Sequence, residues 1–242
     1  MPELTALSWA LVCAGALIVG LSKTAVPGAG TLAVAAFAAA LDARQSTAAL
    51  LVLLLVGDLF AVWMYRRDVD WAALRRLVLP VLLGLMVGAG FLAVSSDAVV
   101  RRVIGVILLG MLALTLWRRR KDRPGPGRLA GMGYGWMGGF TTMVANAAGP
   151  VMSMYLLAMR MPVTTFLGTA AYFFFAVNLS KLPFHISIGL LTWEILALSA
   201  VLVPLVAGTA FFGRWLAPRI SQRLFDRLVL VLTAVGAVHL LV

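Results

Sequence analysis

Gly20-Leu21-Ser22-Lys23-Thr24-Ala25-Val26-Pro27-Gly28-Ala29-Gly30-Thr31-Leu32 places a lysine, hydroxyls, a proline and two close glycines inside an otherwise apolar run. Proline removes a helical hydrogen bond and glycine weakens helix, so the run does not form one unbroken helix. A second stretch, Gly139-Phe140-Thr141-Thr142-Met143-Val144-Ala145-Asn146-Ala147-Ala148-Gly149-Pro150-Val151, aligns with it position for position. Gly20 falls over Gly139, Ser22 over Thr141, Lys23 over Thr142 and Gly30 over Gly149. The chain therefore reads as two related halves, each opening on a broken apolar segment. Unwound backbone at membrane depth is tolerated only where it is buried or lines a cavity, so paired breaks point to a transporter binding site.

Composition sets the solvent in which this plan must fold. The 242 residues are 62% hydrophobic and 12% charged, with a mean hydropathy of +1.02. Such a chain is an all-α polytopic membrane protein. One crossing takes roughly 20 residues, which allows about eight to ten segments and leaves no room for a soluble catalytic domain. The net charge of +11 comes from arginines clustered between apolar runs. That is the positive-inside pattern, and it implies attraction to anionic lipid head groups rather than to nucleic acid. Cys13 is the only cysteine, which excludes disulfide frameworks and thiol relays. His185 and His239 are too few and too separated for a metal site, so neither metal nor cofactor is expected. The start Met1-Pro2-Glu3-Leu4 lacks the positive region of a signal peptide.

In order, the sequence predicts apolar helices over Leu4–Leu21 and Thr31–Leu41, a turn with an N-cap at Asp42–Ser46, and a helix over Thr47–Tyr65 that carries Asp58. A basic loop, Arg66–Arg76, leads to a helix over Leu77–Val94 in which Gly84-xxx-Gly88 forms a small face that permits a homodimer. A helix over Val103–Trp117 closes the first repeat, residues 1–117. Residues 118–128 form a basic cytoplasmic linker, and residues 129–242 form the second repeat. Its helices are expected at Leu129–Val144, Pro150–Met159, Val163–Ser180, Trp193–Phe212 and Leu228–Val242, with Lys181 to His185 ending the third. The arginine-rich loops at 66–76, 118–128 and 214–227 belong inside and the loops at 95–102 and after Lys181 outside. If each broken pair is re-entrant and three transmembrane helices follow it, the two repeats have inverted topology and both termini lie outside.

Two of the three lysines, Lys23 and Lys181, stand beside apolar helix instead of in the arginine clusters. Lysine in hydrocarbon costs at least about 2.5–3.5 kcal/mol, so it faces a cavity or a partner unless it snorkels from a helix end. Where helices restart, near Gly28, Gly30 and Thr31 and again near Gly149, free backbone N–H groups favour an anion. Ser22, Thr24, Thr141, Thr142 and Asn146 add neutral donors, suited to a tetrahedral or pyramidal oxyanion. Packing and backbone satisfaction are the alternative use of these small polar residues. Asp58 and Asn178 hold corresponding places in the two halves. A desolvated carboxylate there is either a proton carrier or the fixed ion-pair partner of a lysine.

Several runs carry a family resemblance. Gly139-Phe140-Thr141-Thr142, Asn146 to Pro150, Tyr155-Leu156-Leu157, Gly168-Thr169, Phe173-Phe174 and Asn178-Leu179-Ser180-Lys181-Leu182-Pro183 resemble the second half of the sulfite exporter TauE/SafE family. Gly20 to Gly30, Tyr65-Arg66-Arg67 and Asp70-Trp71 are similar to its first half. Ser22-Lys23-Thr24 and Pro27 stand where other members often have more glycine. The resemblance implies a bacterial inner-membrane carrier of duplicated, inverted architecture that exports sulfite or a small organosulfur anion such as sulfoacetate. Substrate binding is then expected at Ser22, Lys23, Thr24, Gly28, Gly30, Thr31, Thr141, Thr142, Asn146, Gly149, Asn178 and Lys181, with Asp58 as the proton-coupling candidate. A passive anion channel on the same scaffold is the alternative. An intramembrane enzyme fits less well, because neither histidine pairs with a nucleophilic serine.

Overall fold

The computed structural model describes residues 4–94, 127–145, 148–187 and 189–241, with isolated positions 106, 110 and 113. Among the described residues the chain is helical throughout. The helices are α1 (Ala6–Thr24), α2 (Gly30–Ala40), α3 (Ala43–Tyr65), α4 (Trp71–Val94), α5 (Arg128–Ala145), α6 (Ala148–Ala158), α7 (Val163–Ser187), α8 (Trp193–Leu216) and α9 (Gln222–Leu241), with a 3-10 turn at Ala217–Arg219. Among the described residues five stretches are long and apolar enough to cross a membrane: Ala6–Thr24, Gln45–Tyr65, Trp71–Phe91, Val163–Ser187 and Trp193–Arg219. The predicted helix at Val103–Trp117 and the 118–128 linker fall, but for a few positions, outside the described residues.

Polarity is turned inside out. Leu79 is 63% exposed and Met86 70%, while Asp58, Asn178 and Lys181 are buried. An aqueous fold does the reverse, and a bilayer makes this arrangement the stable one, because lipid solvates leucine and only protein can partner a charge.

Both broken segments are antiparallel hairpins. In the first, Gly15 of α1 faces the Phe37 ring of α2, and Gly30 faces Ser22 across the tip. In the second, Gly131 of α5 faces Tyr155 of α6, and Gly138 faces Val151. The second arms have 11 residues each, about 16 Å of helix, which is half a bilayer core. The first tip turns through Gly28 at φ 98°, a conformation that L side chains rarely adopt. The tip of the second spans residues 146–147, outside the described set.

Each hairpin's first arm packs on a helix distant in sequence, α1 on α8 and α5 on α4. Glycine sets both approaches. A Cβ on Gly20 would lie 2.3 Å from the Val206 carbonyl oxygen, and one on Gly139 would lie 2.1 Å from that of Val81. Gly84 and Gly88 also face α5, at Trp136, Phe140 and Met143, so the small face is used inside the chain.

Several expected boundaries move outward. The first break begins after Thr24, not after Leu21, and α8 continues past Phe212 to Leu216. α7 runs through Lys181 and Pro183 to Ser187 instead of ending there. Proline deletes only one ladder bond, and neighbouring helices hold the remainder in register. α4 starts at Trp71, because Asp70 Oδ1 accepts from the Ala73 N–H at 2.9 Å and caps it. The 66–76 basic loop is thereby shortened to a tight turn. That turn is docked by Thr169 Oγ1, which accepts from the Asp70 N–H at 3.0 Å, with Gly168 against the Asp68 carbonyl. Asp42 is the N-cap residue of α3 but makes no side-chain cap bond.

Candidate functional site

α3 packs on both arms of the first hairpin and on α7, and α7 touches both hairpins; Asp58 on α3 and Lys181 on α7 are buried charged residues of the core. On α7, Phe174, Asn178 and Lys181 are spaced i, i+4 and i+7, so they share one face. On α3, Leu54 and Asp58 do the same. Gly57 gives the hairpin room, since a Cβ there would stand 3.0 Å from Lys23 Cγ.

The side chains meet in two clusters of opposite design. Lys23 Nζ from the first hairpin lies 2.6 Å from Asp58 Oδ1, and Asn178 Nδ2 donates to Asp58 Oδ2 at 2.7 Å. Lys23 also stands over the Phe174 ring, 4.6 Å from its centroid, a cation–π contact. In the second cluster Lys181 Nζ donates to Thr142 Oγ1 of the second hairpin at 2.7 Å. A cation from hairpin one meets an acid on α3, and a hydroxyl from hairpin two meets a cation on α7. Asp58 and Asn178 are 120 residues apart in sequence and touch directly.

Between the tips lies a cavity of about 70 Å³. One water needs roughly 10–15 Å³ on the same measure, so a small anion fits. Ser22, Lys23, Gly28, Gly30, Thr142, Gly149 and Asn178 line it, with Phe174, Val34, Leu54, Ala170 and Ala171 as an apolar wall. Both restarting helices reach the wall through their first residues, Gly30 and Gly149, and α2 has no side-chain cap to occupy its N–H groups.

Seven of the twelve expected binding residues are thus gathered at one cavity, and Lys181 reaches it through Thr142. Thr24 and Thr141 are not on the wall. Thr24 Oγ1 donates to the Gly20 carbonyl at 3.0 Å against Gly213, and Thr141 Oγ1 donates to the Met137 carbonyl at 2.8 Å. A threonine within a helix readily back-bonds in this way, and the sequence does not show which hydroxyls do so. Ser22 also donates to its own helix, at Val19 O, yet its oxygen remains on the wall. Asn146 and the Thr31 side chain lie outside the described set. Asp58 is fully buried behind Lys23 and contributes no surface.

Two residues with no role expected from sequence stand out. Phe174 could have been found from its i, i+4 relation to Asn178. Tyr65, whose hydroxyl donates to the Thr24 carbonyl at 2.6 Å under the Arg214 guanidinium, gave no such signal, because it acts across 41 residues. Among the described residues no cluster of His, Cys, Asp or Glu could hold a metal.

The sequence matches the sulfite exporter TauE/SafE family over residues 12–240. No curated protein and no solved structure matches it. With a family match over nearly the whole chain, and five apolar spans around a buried polar site, the protein is a multi-pass membrane transporter belonging to the sulfite exporter TauE/SafE family.

Proposed function

We propose that this protein exports sulfite or a small organosulfur anion across the bacterial inner membrane by alternating access, with the cavity between the hairpin tips as its substrate site. The observation that carries the reading is a pair of lysines, Lys23 on the wall and the buried Lys181 behind Thr142, at a cavity onto which two helix N-termini open. Cations, free N–H groups and hydroxyls all stabilise an oxyanion, and the apolar wall fits a short carbon body. Lys23, Thr142 and Asn178 would hold the oxygens, and Gly28, Gly30 and Gly149 would let the backbone approach.

Inverted topology is supported by the reciprocal packing of α1 on α8 and α5 on α4, and by the direct contact of Asp58 with its counterpart Asn178. In this arrangement the arginine-rich turns face the cytoplasm, both termini lie outside, and the hairpins enter from opposite sides. Export of an anion is favoured by an inside-negative potential of about 2.3 kcal/mol per charge per 100 mV, so coupling is not required. The Lys23–Asp58 contact favours Asp58 as a fixed counter-ion over a proton carrier.

Counterflow tests the reading. Proteoliposomes preloaded with sulfite, taurine or sulfoacetate are expected to accumulate labelled sulfite transiently, and Lys181→Ala liposomes are not. A channel equilibrates label without overshoot. Absence of uptake with every anion would refute sulfur-oxyanion transport.

A further inference from the structure

A second opening, distinct from the cavity between the hairpin tips, lies between α4 and α7. It is a groove of about 330 Å³ with an almost wholly apolar lining. Leu77 and Val81 of α4 and Phe173 and Val177 of α7 are its buried floor, and Val78 and Leu82, 56% and 49% exposed, stand at its rim. Between α3 and α8 aromatic rings meet edge-on instead, Phe211 against Phe60 at 5.6 Å and against Trp63 at 6.3 Å. Along α4 the groove runs from Trp71 to Leu85, about 21 Å of helix, which is the depth of one bilayer leaflet with its head groups. The Trp71 end is chemically distinct. Trp71 is 51% exposed and meets Tyr172 edge-on at 4.8 Å, a pair of the amphipathic rings that membrane interfaces favour. One turn further on, Arg75 lines the groove, its Nε donating to the Trp71 carbonyl at 3.3 Å. Arg75 also borders a recess against α5 together with Arg76, Pro80 and Met132. Both arginines are exposed, and neither meets a carboxylate among the described residues.

We propose that this groove binds one anionic phospholipid from the leaflet on the arginine-rich side, with an acyl chain between α4 and α7 and the phosphate on Arg75 and Arg76. Three features select this occupant. Apolar walls suit a hydrocarbon chain and not a peptide, whose backbone groups would go unpaired there. The length of the groove is that of one chain in one leaflet. Guanidinium groups at the interfacial end bind phosphate through paired N–H bonds, and a zwitterionic head group offsets that attraction with its own positive charge. A seated chain supplies contacts that α4 and α7, which touch only lightly, do not make with each other. The lipid is then a part of the fold, whatever the cavity between the hairpin tips carries.

Native mass spectrometry of the detergent-purified full-length protein, with phosphatidylglycerol and phosphatidylcholine of identical chains added at equal concentration, reads the site directly. Wild type is expected to bind a first phosphatidylglycerol at least about fivefold more tightly than phosphatidylcholine, the scale of one arginine at an anionic surface. Arg75→Gln/Arg76→Gln is expected to lose that preference. Arg66→Gln/Arg67→Gln removes the same charge from the neighbouring turn and is expected to keep it. Ala176→Phe fills the groove from an exposed position and is expected to weaken binding of the first lipid, of either kind, by about fivefold or more. Should that variant fail to fold, Ser180→Leu, at the end of the groove away from Trp71, makes the same test. Equal binding of the two lipids by wild type, or a preference lost equally in both arginine double variants, overturns the site in favour of general attraction to a basic face. A preference that depends on Arg75 and Arg76 but survives the filled groove overturns the seat of the chain between α4 and α7. Binding of neither lipid overturns the site altogether.

Discussion

Lys23 Nζ lies 2.6 Å from Asp58 Oδ1, joining the tip of the first hairpin to the crossing helix α3 in the middle of an apolar fold. Neither partner is solvated, and each is what makes the other tolerable there. The contact also fixes the tip in register with α3, because Gly57 leaves space for the lysine stem to lie against the helix. Position and charge are set by one interaction.

Breaking that pair from one side is expected to destabilise the protein by about 3–5 kcal/mol, since it strands a buried charge. Lys23→Met is therefore expected to lower the unfolding midpoint in detergent clearly more than the double change Lys23→Met/Asp58→Asn. Thermal unfolding of the two variants beside wild type checks this. A double variant as unstable as the single one would mean that packing, not charge, holds the tip.

The glycines at the crossings predict opposite signs at neighbouring positions. Gly20→Ala and Gly139→Ala force a methyl against the carbonyls of Val206 and Val81, and each is expected to cost about 1–3 kcal/mol, read as lost folded yield. Gly133 has no atom within 4 Å of a built Cβ. Gly133→Ala is thus expected to stabilise by up to about 1 kcal/mol through helix propensity. Size-exclusion profiles and unfolding midpoints of the three variants decide it.

The breaks and half of the residues lining the cavity were legible in the sequence because they violate the local rule: a lysine, a proline or paired glycines in an apolar run has few explanations. Helix ends were less legible. At Lys181 to His185 a proline and two polar residues read as a terminus, whereas α7 continues because tertiary packing outweighs one missing bond. Nor did sequence separate Thr142, which meets Lys181, from Thr141, which bonds its own helix. One residue is a 100° rotation about the helix axis, and the periodicity of a glycine-rich arm does not define which face is inward.

Tyr65 ties the end of α3 to the end of α1, its hydroxyl donating to the Thr24 carbonyl at 2.6 Å. That carbonyl lies at a helix C-terminus, where no intrahelical donor is available. Tyr65→Phe is expected to cost about 1–1.5 kcal/mol and to raise amide exchange in the first tip before the remainder of α1. Uniform loosening throughout α1 would show that the contact supports the whole helix and not its end.

Transport of an uncoupled monovalent anion moves one charge, and this gives the mechanism a thermodynamic signature. At 100 mV the electrical work of about 2.3 kcal/mol corresponds to roughly a fiftyfold concentration ratio at equilibrium. Proteoliposomes clamped inside-positive by a potassium gradient and valinomycin are therefore expected to concentrate labelled substrate to about that ratio, and to lose it when the potential is collapsed. Cotransport of one proton with the anion would be electroneutral, so accumulation would then follow the pH gradient and ignore the potential. In that case Asp58→Asn should abolish the response to pH. With Asp58 held between Lys23 and Asn178 as a fixed counter-ion, the expected result is the first: accumulation that follows potential, with no pH gradient needed.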